Sequence, residues 1–180
     1  MRREDWLVAQ CLEFDLAAQA RETFDNIKAE FCRMLRVRLA ACKLEKIDPF
    51  KLPPASERYD DISKRARPQV IFGKESNIPI AFILTDSWSI NNAAYKMAYP
   101  FIQLPTWGDF LPIAQTKFGV KIKTVQATSS HYLLRETEQE RRLASMPRLA
   151  LGDHLQFEVI RSLCNQLDIP EKEFGVEIPW

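Results

Sequence analysis

The apolar positions of the first 46 residues recur at the spacing of an α-helix. They form one stripe, made of Ala17, Ala20, Phe24, Ile27, Phe31, Met34 and Cys42. Its intervals are three or four positions as far as Met34, and Cys42 follows eight positions later. No glycine or proline precedes Pro49. The pattern predicts one helix over 4–46, far longer than the usual length of about 10–14 residues. Such a helix either packs along its own domain or pairs with another chain.

The middle of the chain has the short β-prone runs that are typical of strands. The runs 70–72 and 80–85 flank the turn-like segment 73–77, which predicts a β-hairpin. Further strands are predicted over 101–104 and, from its alternating pattern, over 120–127, and helices over 91–99 and over 110–117 with Asp109 as cap.

The C-terminal third again has a helical pattern. A helix is predicted over 130–144, and another begins at Asp153, where Gln156 three residues later resembles a capping box. The apolar stripe of this second helix consists of Phe157, Ile160, Leu163, Cys164 and Leu167. Pro170 is predicted to occupy the first position of a further short helix.

These elements predict an α+β fold with a long N-terminal helix, a small mixed or antiparallel sheet, and C-terminal helices. We expect a single domain over 1–180. It would consist of the long helix over 1–46, a Pro-rich connector over 47–68, and an α+β core over 69–180. A short helix over 56–65 is compatible with the connector, with Ser56 as its cap.

Composition places the chain among ordinary globular proteins. Of its 180 residues, 46% are hydrophobic and 27% charged, with a net charge of +1. The net charge is therefore too small for a long-range electrostatic attraction of the whole chain to DNA or to a membrane. No apolar stretch reaches the roughly 20 residues that span a bilayer. Acidic residues interrupt the segment that follows Arg2 and Arg3, which argues against a signal peptide. We expect a cytoplasmic protein without a membrane partner.

Glycine and cysteine usage predicts that the protein has no cofactor and no metal. The chain has five scattered glycines and neither G-x-G-x-x-G nor G-x-x-x-x-G-K-[ST], so the common phosphate-cradling loops are excluded. Cys11, Cys32, Cys42 and Cys164 form no C-x-x-C pair, which disfavours a zinc site. We expect reduced, buried thiols.

The first candidate site is the basic stretch 33–67, where ten lysines and arginines outnumber five acids. Its candidate residues for DNA or RNA binding are Arg33, Arg36, Lys64, Arg65 and Arg67. On a helix, positions 33 and 36 lie together and position 38 is turned away. The alternative interpretation is a solvated helix end followed by a polar loop.

The second candidate is the aromatic segment 95–110, which Pro100, Pro105 and the nearby Pro112 would stiffen, together with the C-terminal tryptophan. Its candidate partner-binding residues are Tyr99, Phe101, Trp107 and Trp180. The alternative is that these aromatic side chains fill the core.

Sequence signatures of an enzyme are weaker than those of the two candidate binding sites. Five acids are candidate ligands for metal-assisted hydrolysis, namely Glu57, Asp60, Asp61, Asp86 and Asp109. However, no [DE]-x-K motif of the common nuclease type is present. Nucleophilic catalysis would depend on His131, beside Ser129 and Ser130, or on His154, and the chain has no G-x-S-x-G.

The sequence therefore favours a non-enzymatic interaction subunit of a larger protein assembly. Its expected partner is another protein or a second copy, bound through the N-terminal helix. The alternatives are a nucleic-acid-binding protein that uses 33–67 and, third, a metal-dependent hydrolase of the nuclease kind.

Overall fold

The computed structural model describes residues 6–11, 13–21, 23–51, 53–54, 69–75, 78–84, 104–126 and 129–176. It confirms the α+β class, with antiparallel sheets, an N-terminal helix, and helices towards the C-terminus. The chain divides into two compact units, 1–55 with 104–180, and 56–103. That both belong to one domain stays a prediction. Among the described residues, no helix has both the length and the apolar character needed to cross a bilayer.

The strands are β1 (Trp6–Cys11), β2 (Leu16–Arg21), β3 (Gln69–Glu75), β4 (Ile78–Leu84), β5 (Lys121–Val125), β6 (Ser130–Glu136) and β7 (Arg141–Ser145). The α-helices are α1 (Phe24–Glu45), α2 (Trp107–Phe118) and α3 (Phe157–Leu167), and 3-10 turns span Pro49–Lys51 and Glu171–Phe174. The antiparallel pairings are β1–β2, β3–β4 and β5–β6–β7. The predicted hairpin around 73–77 is confirmed as β3–β4 in the second unit.

The predicted helix over 4–46 is wrong in its first half, because residues 6–21 form the β1–β2 hairpin. The four residues from Leu16 to Gln19 are all buried, so β2 is covered on both faces, which a helix with one apolar stripe would not be. The helix begins only at Phe24, where the Thr23 hydroxyl accepts a hydrogen bond from the Asn26 N–H at 3.2 Å.

The predicted helix over 130–144 is also wrong, because this segment is the β6–β7 hairpin. Its buried residues alternate between two covered faces of a sheet, and the Thr137 hydroxyl and Glu140 backbone close the turn with reciprocal hydrogen bonds. The predicted strand over 120–127 is confirmed as β5.

The helices predicted over 110–117 and from Asp153 are confirmed as α2 and α3, but each begins at a different residue from the one predicted. Thr106 caps α2, and Asp109, predicted as the cap, is instead the capping-box partner that accepts from the Thr106 N–H. Helix α3 begins after Gln156, so Asp153 does not cap it. All five residues of the predicted α3 stripe are buried. The helix predicted over 91–99 and the one over 56–65 lie outside the described residues.

The first unit has three layers, with the β5–β6–β7 sheet in the middle. One face of the sheet contributes Leu134 and Leu143 to a cluster with α1, in which Val37 is buried. The other face contributes Leu133 to the main core, where α2 and α3 pack. Strand β2 packs against both α1 and α3, so the N-terminal segment is an integral part of this unit.

Arg38 of α1 is completely buried where these layers meet, with 0% of its surface exposed. Its guanidinium donates to the carbonyl oxygens of Phe14 and Leu143, each at 3.2 Å, and to the side-chain oxygen of Gln166. Burial lowers the pKa of Arg38 to about 10, so it remains charged at neutral pH. One side chain thus joins the hairpin turn, β7 and α3.

Glu45 joins the end of α1 to the sheet in a similar way. Its carboxylate accepts hydrogen bonds from the Tyr132 hydroxyl at 2.5 Å and from Lys123 at 3.0 Å, and pairs with Arg141 at 2.7 Å. Burial opposes ionisation of Glu45, but these bonds and charges outweigh it and lower its pKa. Burial and the hydrogen bond to Glu45 raise the pKa of Tyr132 to about 12.

We expect Arg38→Met to lower the free energy of unfolding by about 2–4 kcal/mol, because it leaves buried carbonyl groups without a donor. Chemical denaturation measures this change. The control is Lys43→Met on the exposed side of α1, expected within about 0.5 kcal/mol of wild type. Equal stability of the two variants would contradict the role assigned to Arg38.

We expect Glu45→Gln to lower stability at neutral pH, with a deficit that shrinks in acid. A carboxyl group with a lowered folded-state pKa stabilises the fold above its ordinary pKa of 4.5, and this contribution is lost as pH falls through the folded value. Thermal unfolding between neutral pH and pH values below 4.5 measures the difference. Glu138→Gln, on the exposed β6–β7 turn, serves as control and should show no such convergence.

Candidate anion-binding cavity

Strand β2, helix α1 and the segment after β7 line an open cavity of about 820 Å³ in the first unit. Its charged lining consists of four arginines, Arg21, Arg33, Arg36 and Arg148, and two acids, Glu30 and Asp153. The described lining therefore has an excess of two positive charges, although the whole chain has a net charge of only +1.

Helix periodicity brings three of these residues together. Glu30, Arg33 and Arg36 follow one another at intervals of three on α1 and so share a face. Arg33 binds both carboxylate oxygens of Glu30, at 2.6 and 2.8 Å, and also donates to the Met146 carbonyl oxygen at 2.9 Å. The Glu30–Arg33 pair is therefore fixed on the wall of the cavity.

The rim of the cavity is formed by the other acid and its partners. Arg21 pairs with Asp153 at 2.6 Å, and its guanidinium lies 4.6 Å from the centre of the Trp6 ring. Asp153 also accepts from the Ala150 N–H at 2.9 Å, which ties the turn after β7 to the rim. Both acids of the cavity are thus already paired with an arginine.

Arg148 differs from Arg21 and Arg33 because its guanidinium has no ion-pair or hydrogen-bond partner among the residues that the structure describes. Its backbone N–H donates to Glu30 at 3.1 Å, which fixes where its side chain starts. Arg148 and Arg36 are both exposed. A planar guanidinium with accessible N–H donors is suited to two-point binding of a phosphate or carboxylate.

The cavity includes part of the predicted nucleic-acid site. Arg33 and Arg36 line it, and Arg38 is turned away from them as the helical spacing predicted. The structure adds that Arg38 is buried in the core. Lys64, Arg65 and Arg67 lie outside the described residues. Sequence reasoning missed Arg21, Arg148 and Trp6, because they come from distant segments and no local motif marks them.

Of the aromatic residues predicted to bind a partner, the structure describes Trp107, and its side chain is buried. Trp107 is 1% exposed and stacks on Phe110 with ring centres 5.7 Å apart. Its side chain belongs to the core, which corrects its assignment as an exposed anchor. Tyr99, Phe101 and Trp180 lie outside the described residues.

The candidate catalytic residues do not form a joint site in the described part. Thr124 contacts the His131 ring at 3.0 Å on one sheet face, and Ser130, the residue before His131 in β6, is buried on the other. The His154 ring contacts the Leu104 carbonyl oxygen at 2.9 Å. Asp109 is engaged in the α2 cap, and no group of metal-ligating side chains occurs among the described residues. The remaining predicted ligands, Glu57, Asp60, Asp61 and Asp86, lie outside them.

No protein-family model matches the chain, and no curated protein or solved structure is significantly similar to it. The cavity therefore has to be interpreted from its own geometry and charge.

We expect Gly108→Ala to destabilise the turn that carries Asp153. A Cβ at Gly108 would lie 2.9 Å from the Leu151 carbonyl oxygen, whereas one at Gly152 would meet nothing within 4 Å. Forcing these backbones apart should cost about 1–3 kcal/mol. Thermal unfolding measures this loss of stability, with Gly152→Ala as the control in the same turn. A Gly108 variant as stable as this control would contradict the close packing of α2 against the turn.

Proposed function

We propose that the protein is a non-enzymatic subunit that binds the phosphate backbone of a nucleic acid in the arginine-lined cavity. The observation that carries this proposal is that four arginines from β2, α1 and the segment after β7 line one concavity. Gathering exposed cations on one surface favours a polyanion, because binding then releases its condensed counterions.

The division of charge within the cavity supports the proposal. Glu30 and Asp153 hold Arg33 and Arg21 in place and neutralise them in part. Arg36 and Arg148, whose side chains are exposed, add two further arginines to the same lining. Four arginines that line one cavity suit a ligand with several phosphates spaced along a strand.

The size and composition of the cavity further favour a polymer over a single small anion. Its volume of about 820 Å³ is near the upper end of common small-ligand pockets, at about 300–1,000 Å³. A lone phosphate would fill a small part of it. Trp6 at the rim adds an aromatic ring of the kind on which bases stack.

A second candidate remains the interaction subunit of a protein assembly. Two large apolar side chains are exposed near the end of α1, namely Leu44 of the helix at 59% and Phe50 of the 3-10 turn that follows at 76%. Aromatic residues in such positions are favoured at protein interfaces. This candidate concerns a different surface from the cavity.

Reversing two exposed charges of the cavity, Arg36→Glu with Arg148→Glu, is expected to weaken nucleic-acid binding and to lower its salt slope by about two, one for each phosphate that is no longer bound. Fluorescence anisotropy with labelled single- and double-stranded DNA and RNA measures this at about 50 and 200 mM salt.

The charge-matched control is Lys43→Glu with Lys172→Glu, two exposed positions outside the cavity lining. It should retain most of the affinity. An equal loss in both double variants would show that only net charge matters, which contradicts the cavity as the site. Absence of wild-type binding at the lower salt concentration would reject the proposal and favour the protein-assembly candidate.

A further inference from the structure

Strand β1 has one partner, β2, and the hydrogen bonds of β2 reveal which backbone groups of β1 face away from it. The Ala17 N–H donates to the Ser162 hydroxyl at 3.1 Å, so it points away from β1. The Arg21 carbonyl oxygen likewise accepts from the Thr23 N–H at 3.0 Å. The pairs that contain Ala17 and Arg21 are therefore the non-hydrogen-bonded pairs of this ladder.

Hydrogen-bonded and non-hydrogen-bonded pairs alternate along an antiparallel ladder, so the type of each remaining β1–β2 pair follows. Val8 lies opposite Gln19 and Gln10 lies opposite Ala17, so both are in non-hydrogen-bonded pairs. Their N–H and C=O groups point outward, along the side of β1 that is remote from β2. Within the described ranges of the chain, these four backbone groups have no hydrogen-bond partner.

The edge also lacks the features that usually protect an open strand. Its sequence, Trp-Leu-Val-Ala-Gln-Cys, contains no charged residue and no proline, and β1 pairs with β2 in register without a bulge. Unprotected edges of this kind pair with another strand.

We propose that β1 pairs antiparallel with β1 of a second copy of this chain, around a two-fold axis at Ala9. In this register Val8 of one copy lies opposite Gln10 of the other, and the two Val8–Gln10 pairs exchange four hydrogen bonds. The four outward groups of Val8 and Gln10 thereby find a partner, and the two hairpins join into one four-stranded antiparallel sheet.

The residues of β1 favour a second copy over other occupants. Two Ala9 residues meet at the axis in a non-hydrogen-bonded pair, where side chains approach closest and a small one is accommodated. The uncharged strand has no like-charge repulsion against itself. A nucleic acid would find no cation within it, and a charged peptide would find no opposite charge.

Cysteine cross-linking tests the register directly. In an antiparallel non-hydrogen-bonded pair the Cβ atoms lie about 4.5–5.5 Å apart, close enough for a disulfide after small adjustment. We expect Ala9→Cys, in a Cys11→Ser background, to give a disulfide-linked dimer on mild oxidation, detected by intact mass with and without reductant. The control is Ala29→Cys in the same background, which is more exposed and should form less dimer.

A second pair of variants tests association without a cross-link. Val8→Lys places a like charge on each side of the axis and should abolish concentration-dependent dimerisation in sedimentation equilibrium, whereas Val8→Thr should retain it. Circular dichroism checks that both variants are folded. A wild-type monomer at all concentrations, a dimer unaffected by Val8→Lys, or an Ala9→Cys yield no higher than the control would each overturn the proposal.

Discussion

The burial of the Arg38 guanidinium is the constraint on which the first unit depends. A buried charge is tolerated only where acceptors surround it, and here they come from three segments that are far apart in sequence. The Phe14 carbonyl belongs to the β1–β2 turn, the Leu143 carbonyl to β7, and the Gln166 side chain to α3. No one of these segments can shift without leaving a buried donor or acceptor unpaired.

The same network determines the conformation of the hairpin turn. Asp15 is buried with a positive φ of 45°, and its backbone carbonyl accepts from Ser162 and Gln166. Burial raises the pKa of Asp15, while hydrogen bonds from Asn165 and Gln10 act in the opposite direction. The turn therefore has its shape because its carbonyl groups bind α3 and Arg38. This shape in turn sets the position of β1 and β2, which the turn connects.

The orientation of α1 links this constraint to the cavity. Since Arg38 points into the core, positions 33 and 36, on a different side of the helix, line the cavity. Glu45, the last residue of α1, binds the Tyr132 hydroxyl of β6. This second attachment prevents rotation of α1 about its own axis. The charged face of the cavity is thus set by what is buried elsewhere on the same helix.

The sequence by itself determined the α+β class, the β3–β4 hairpin, strand β5, the buried stripe of α3 and the shared face of Arg33 and Arg36, because periodicity and turn chemistry act within one element. It misassigned 6–21 and 130–144, where alanine-rich or charged stretches fit a helix locally. Only the tertiary structure decided that these segments are strands, since sheet pairing and burial on both faces outweigh helix propensity. It also decided that Arg21 and Arg148 join Arg33 and Arg36, because convergence of distant segments is set by packing and has no local signature.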